Sequence, residues 1–487
     1  MKLRKISIYL LSALLLTACK KSFLEKSPDN RTEINTVEKI AQLVSTAYPS
    51  YDYYTFTEAA SDNSEDKGDG VGSVNDIISS YYTWQDYVGA GTNTSTNYWN
   101  GCYSAIAAAN QALEVIENGN FGNAALPYKG EALVARAYAH HMLAILFAQP
   151  YKKGTDNSSL GIPYVTKPET VLLANYTRGT VQSTYDNIEK DLTDGLKLLD
   201  DSKYSVPKYH FTKAAANAFA SRFYLFKQDW AKVIEHANAT VPSNDFASLL
   251  RPISGEYRTI GYEQYRTDFT KTTQKPTLLL ANNYSTYQRI YSSPRYGYGA
   301  KLVKMFETNG TVAGKALRHW ILNYGQPHYT TYKWREYFFY ATASTGYPYI
   351  QSILLTVDET LMNRAEAYAE LEQYDNALKD VNTFYSVRLN GYNATSDAIT
   401  LAKINAYYSI SEPKAGIVRT ILDAKKAEFL QEGIRWFDIV RRGLTVTKNI
   451  YAPSGEESFI ELGPNDLRRV FQLPQEVKLA GLELNPR

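Results

Sequence analysis

The chain has 487 residues, with 52 Lys plus Arg against 50 Asp plus Glu and two cysteines. That length allows one large core or two domains, and a formal charge of +2 leaves no electrostatic footprint for nucleic acid or an anionic membrane surface. Tyrosine is unusually abundant, at 41 residues against 18 Phe and 6 Trp. A core has little use for so many phenols, because each buried hydroxyl wants a partner. A surface that contacts carbohydrate can use them, ring face against C–H and hydroxyl against hydroxyl; the alternative is drift in loop composition.

The chain opens on Lys2, Arg4 and Lys5, followed by an apolar run from Ile6 to Ala18 that is short for a bilayer core of about 30 Å. This is the layout of a secretory leader. Leu16, Thr17, Ala18 and Cys19 resemble the lipobox of bacterial lipoproteins: a branched residue, two small ones and a cysteine. The resemblance implies cleavage after residue 18 and acylation of Cys19; an ordinary leader with a chance cysteine is the alternative. Loss of the leader's three cations takes the net charge from +2 to −1. Cys102 is then left without an intrachain disulfide partner. Residues 19–40, including KKSFLEKSPDNRTE, read as a polar, lipidated tether. No later segment has eighteen consecutive apolar residues.

Five helices are expected in the first half: Tyr98–Glu117, Gly130–Phe147, Val181–Leu199, Phe211–Gln228 and Asp229–Ala239. In the first, Ile106, Ala109, Leu113 and Ile116 share a face; the second stops before Pro150. A joined pair follows at Val357–Arg388. Ala365–Val381 resembles a tetratricopeptide repeat, with Ala where two helices must approach closely and Tyr374 as a wedge in the turn. Ala220–His236 repeats the plan with Trp230 as wedge. Both depart from the repeat's usual Gly, carrying Glu372 and Gln228 near that place.

Between these copies, helical periodicity fades over about 240–356 and aromatics crowd in, as in NNYSTYQRIYSSPRYGYG (Asn282–Gly299) and RHWILNYGQPHYTTYKWREYFFY (Arg318–Tyr340). So long a loop section is usually functional. An irregular, aromatic-rich lobe displayed on a helical scaffold (about 41–239 and 357–442) is expected, with an irregular tail at 443–487. Lys425–Gly443 reads as one amphipathic helix with Leu430, Ile434, Phe437 and Val440 as its stripe. Glu432 stands three before Arg435, and Asp438 three before Arg441 and four before Arg442. Such pairs contribute about 0.2–0.5 kcal/mol each.

The sequence EGIRWFDIVRRG within that segment resembles the carboxy-terminal signature of the SusD/RagB family. EALVARAYAHHMLAILF with GIPYV, YWNGCYSAIAAANQAL, the closing LPQEVKLAGLELNPR and the lipobox stand in the order that family has them. The resemblance covers nearly the whole chain. It implies a mostly α fold of tetratricopeptide-like helix pairs forming a right-handed scaffold for a loop-rich ligand-binding lobe. It implies an outer-membrane lipoprotein facing the exterior that binds a nutrient, most often a glycan, without catalysis. It implies a SusC-like TonB-dependent transporter as partner and no cofactor.

No HExxH, GxSxG or phosphate loop occurs, and His140 and His141 are adjacent on a helix, pointing apart. SDNSEDKGDG (Ser61–Gly70) is rich in oxygens, but Ser73 stands where an EF-hand counted from Asp62 needs Glu, so a solvated loop is expected. By the resemblance, Asp62 is a candidate to hydrogen-bond sugar hydroxyls, and Trp84, Tyr87, Trp99, Tyr296 and Trp320 to stack on sugar rings; Asn100 is a further candidate to pair with hydroxyls. Trp99 has an alternative use in helix packing and Asn100 in capping the helix after it. The competing readings are a member of the family that binds peptide or another nutrient, a lipid-anchored helical-repeat adaptor, and a surface glycosidase.

Overall fold

The computed structural model describes residues 34–487 except 172–173, 292–293, 308–309, 320, 324 and 332. Cys19, with the leader and most of the tether, lies outside the described residues, as does Trp320. The fold is mostly helical, as expected.

The N-terminal half runs α1 (Val37–Val44), α2 (Tyr54–Ala60), β1 (Glu65–Asp66), α3 (Asp76–Tyr82), α4 (Ser95–Asn118), α5 (Leu126–Phe147), α6 (Val181–Leu196), α7 (Lys213–Lys227) and α8 (Trp230–Thr240). α5 packs against both α4 and α6. It is apolar around nearly its whole circumference and buried accordingly, which is why it shows little one-sided stripe. α5 and α6 meet backbone to backbone at Gly130 and Gly195: a Cβ on Gly195 would lie 2.7 Å from the Gly130 carbonyl oxygen. α4 begins at Ser95, three residues before the expected start, because Thr94 is the N-cap and accepts from Asn97 N at 3.2 Å. Asn100 therefore caps nothing; it lies exposed inside the helix.

The two repeat-like pairs are α7–α8 and α9–α10 (Val357–Glu370 and Tyr374–Ser386). They are over a hundred residues apart in sequence, yet α8 packs on α9 and α7 also touches α9, so they stack as neighbours. Gln228 and Glu372 adopt φ of 58° and 61°, the left-handed conformation that the repeat's usual Gly would take without strain.

The intervening section is more regular than its periodicity suggests. β2 (Thr277–Tyr284), β6 (Glu336–Tyr340) and β7 (Gly346–Thr356) form an antiparallel sheet in the order β2–β7–β6. Two further short antiparallel pairs are β1–β3 (Tyr296–Gly297) and β4–β5 (Ile321–Asn323 and Tyr329–Thr331). The sheet's root is buried, so TLLL and ILL read as continuous apolar runs rather than an alternating pattern. β7 leads straight into α9, with Thr356 as the cap that accepts from Glu359 N at 3.0 Å.

Lys425–Gly443 is not one helix. α11 (Leu401–Tyr408) is followed by α12 (Pro413–Glu428) and α13 (Ile434–Arg442), the last two separated by a turn in which Gln431 and Gly433 have φ of 71° and 72°. Gly433 abuts α2: a Cβ there would lie 2.4 Å from Thr57 Oγ1, and its N–H donates to Glu58 Oε1 at 2.8 Å. α13 is buried from Ile434 through Val440 on every side. Of its expected charge pairs only Asp438 with Arg441 forms within the helix, and the other charges reach to other elements. Arg435 pairs with Asp62 (2.8 Å) rather than Glu432, which pairs with Lys333 (2.7 Å). Arg441 bridges Asp438 and Glu366, and Arg442 joins Glu366 and Glu370 rather than Asp438. Similar buried pairs stitch the scaffold: Arg136–Asp191 between α5 and α6, Arg222–Glu359 between α7 and α9, and Arg364–Asp380 between α9 and α10. Removing one member of such a pair strands a charge at a cost of about 3–5 kcal/mol.

The tail contains a hairpin, β8 (Val446–Tyr451) with β9 (Glu457–Leu462), and closes against the core. There Asn485 donates to the Phe147 and Phe471 carbonyls and accepts from Arg178 (2.7 Å).

Candidate functional site

The aromatic lobe divides its rings between core and surface. In Asn282–Gly299, Tyr287, Tyr291 and Tyr298 are buried, contrary to the expected display. Their hydroxyls are accounted for: Tyr287 and Tyr298 pair at 3.0 Å, Tyr298 donates to Glu58 Oε2 at 3.0 Å, and Tyr291 meets Ser64 Oγ at 2.7 Å. Glu58 is the polar centre of this cluster, and burial pushes its carboxyl up to about 7.

The outward rings are on the β6–β7 hairpin. Tyr337, Phe338, Phe339, Tyr340 and Tyr347 are 40, 42, 60, 66 and 47% exposed. Strand alternation puts Tyr337 and Phe339 on one face, where their cross-strand partners are Tyr349 and Tyr347. The row continues across the sheet to Tyr284, 4.3 Å from Tyr349 between ring centroids, and to Tyr51, 5.5 Å from Tyr284. On the other face Phe338 and Tyr340 pack edge to face at 4.8 Å. The Arg289–Glu336 ion pair flanks the base of β6. An isolated exposed ring needs no explanation, but a contiguous row marks an interaction surface. This one combines flat apolar faces with phenol hydroxyls.

The residues singled out from sequence are distributed over three other places. Asp62 lies in the loop after α2, its carboxylate held bidentately by Arg435 (2.8 and 2.9 Å) and by Lys426 (2.9 Å). Burial alone would raise its carboxyl, but the two cations outweigh burial and hold it well below the usual carboxylate range. Asp66 and Asp69 in the same loop pair with Arg295 (2.7 Å each), so Ser61–Gly70 is an ion-paired clasp rather than a solvated loop. Among the described residues no group of three or more His, Cys, Asp or Glu could hold a metal ion. Tyr296 is close to this clasp, half-buried and stacked on Tyr82 at 4.4 Å.

Trp84 is 6% exposed and donates from Nε1 to the Ala60 carbonyl at 3.0 Å, with Lys448 Nζ 4.9 Å from its ring centre. Tyr87 is half-buried nearby, against Tyr81. Trp99 is 5% exposed and packs edge-on to Phe147 at 5.0 Å, the packing use foreseen for it. With Asn100 it lines a groove of about 460 Å³, walled by α4, residues 163–176 and the tail. His140 and His141 are fully buried: His140 accepts from Val165 N at 3.0 Å and stacks on Tyr164, while His141 sits among Tyr185, Phe219, Phe223 and Phe226.

The hairpin rings fall within a segment read as aromatic-rich, but none of them was singled out. The available signal was EYFFY followed within a few residues by YPY. Aromatics at successive positions of a strand cannot all face one core.

Residues 22–225 match a SusD-like family described as starch-binding and associating with the outer membrane, and residues 256–477 match the SusD family, SusD_RagB. No curated protein matches the chain. Among solved structures, a candidate sugar binding protein from Bacteroides vulgatus superposes with a TM-score of 0.70 at 18% identity, covering 94% of this chain and 99% of the other. A SusD superfamily protein from Bacteroides thetaiotaomicron gives 0.65 at 19% identity, over 93% and 100%. A SusD-like carbohydrate binding protein from Bacteroides vulgatus gives 0.64 at 15%, over 92% and 96%. At such identities the likeness is one of fold. Among the described residues no helix is long and apolar enough to cross a membrane.

Proposed function

Because the chain belongs to the SusD/RagB family, we propose that it captures a glycan at the outer-membrane surface and hands it to a SusC-like TonB-dependent transporter. It is held there by a lipid on Cys19 and does no chemistry on the ligand. The observation that carries the glycan reading is the open row of Tyr and Phe on the β6–β7 hairpin, whose other end is buried in the sheet. Sugars offer C–H faces to such rings, and the phenols supply hydrogen-bonding groups at their edges. Flat, solvent-exposed stacking gives modest affinity with fast release, which suits delivery to a transporter. Of the residues chosen from sequence, Tyr296, Tyr87 and Asn100 retain exposure for a ligand. Asp62 is engaged in ion pairs, and Trp84 and Trp99 are nearly buried.

The test joins a glycan panel, a turnover assay and purification of the native complex from membranes. The expected result is binding of a glycan without cleavage, with a TonB-dependent transporter co-purifying. Failure of every glycan to bind, or binding of a peptide mixture instead, would overturn the ligand assignment. Release of cleaved sugar, lost on replacing one carboxylate, would overturn the non-catalytic one.

A further inference from the structure

A second cleft, of about 270 Å³, lies where Lys304, Met305, Gly310 and Thr311 of the lobe face α11 and α12. Its walls carry Lys304, Arg419 and Lys426 against one carboxylate, Asp423. Asp423 is engaged: Oδ2 accepts from Tyr408 (2.9 Å) and from Arg419 Nε (3.0 Å). Asp62 touches Lys426, but Arg435 already matches its charge bidentately, so the cleft keeps an excess of positive charge. Lys304 is exposed, and the side chain of Arg419 is 57% exposed. Beside these cations Tyr407 is 45% exposed, its ring edge-on to Tyr408 at 4.8 Å.

An exposed ring flanked by cations suits a sugar that bears an anionic substituent. The ring can stack on the pyranose while Lys304 and the guanidinium of Arg419 meet the charge. We propose that this cleft is a binding site for the carboxylate or sulfate of an acidic saccharide, making such glycans preferred over neutral ones. The inference rests on the reading of the ligand as a glycan and names its class. Uronate carboxylates and sulfate esters share the required chemistry, and the test separates them.

The full-length protein is titrated with a galacturonate tetrasaccharide (carboxylate only), a carrageenan tetrasaccharide (sulfate only), and neutral xylose and maltose tetrasaccharides. At about 50 mM salt at least one acidic ligand binds about tenfold more tightly than every neutral one, and the margin shrinks at about 500 mM as screening rises. The double variant Lys304→Gln/Arg419→Gln, at two exposed positions, abolishes that margin with neutral binding and thermal stability unchanged. Tyr407→Ala weakens the acidic ligand while its salt dependence persists. Equal binding of acidic and neutral ligands, or an acidic preference indifferent to the double variant, overturns the cleft assignment and leaves glycan capture standing. Failure of every saccharide, acidic or neutral, overturns both.

Discussion

Replacement of Phe339 and Tyr340 by alanine separates a display surface from a structural one. Phe339 is 60% exposed. A ring residue of about 200 Å² would thus offer about 120 Å² to solvent, and one sugar lying on half of it would cover about 60 Å². At about 25 cal/mol per Å² this amounts to about 1.5 kcal/mol, or about tenfold in Kd. Tyr340, at 66% exposed, offers a similar area from the opposite face. Because neither ring is buried, each single variant should keep its stability within about 0.5 kcal/mol. Isothermal titration with a glycan that binds the parent, run beside a thermal melt, reads both quantities. The reasoning fails if the double variant binds within twofold of the parent, or if its binding loss comes with a melting point lowered by several degrees.

Trp99→Ala should show the opposite pattern, losing about 3–5 kcal/mol of stability because the indole is a core element, as urea unfolding would show. Gly433→Ala should cost about 2–5 kcal/mol, combining left-handed strain with the approach of its Cβ to Thr57 and Tyr53; a stability near that of the parent would show the turn relaxes. Gln228→Gly and Glu372→Gly should each stabilise by about 0.5–1 kcal/mol in a melt, since relief of strain exceeds the entropy that glycine adds to the unfolded chain. Glu58, pushed up to about 7, binds a proton more readily folded than unfolded. Its contribution is therefore fully present below about 4.5 and is lost as pH rises through about 7, by about 3 kcal/mol. Glu58→Gln should flatten that part of the stability–pH curve, and an unchanged slope would assign it to other groups.

The helices were legible because their signals are local. Apolar spacing and Ala placement located α4 to α10 to within a few residues, and the ordered motifs pointed to the family. Local signals failed where the partner lay far along the chain. Lys425–Gly443 carries an acceptable helical stripe, yet it breaks at Gly433 because α2, nearly four hundred residues earlier, occupies the space and supplies Glu58 to the turn. Likewise the ion pairs of Asp62 with Arg435 and Lys426 join positions more than three hundred and fifty residues apart and have no local signal.

The sequence alone determined the helical scaffold, its repeat-like pairs and an aromatic-rich insert, since each depends on spacing within a few turns of chain. Only the tertiary structure decided which rings are displayed. Burial of an aromatic ring depends on what packs over it, so Tyr287, Tyr291 and Tyr298 vanish into the core while Phe339 and Tyr340 stand in solvent on a hairpin that outruns it.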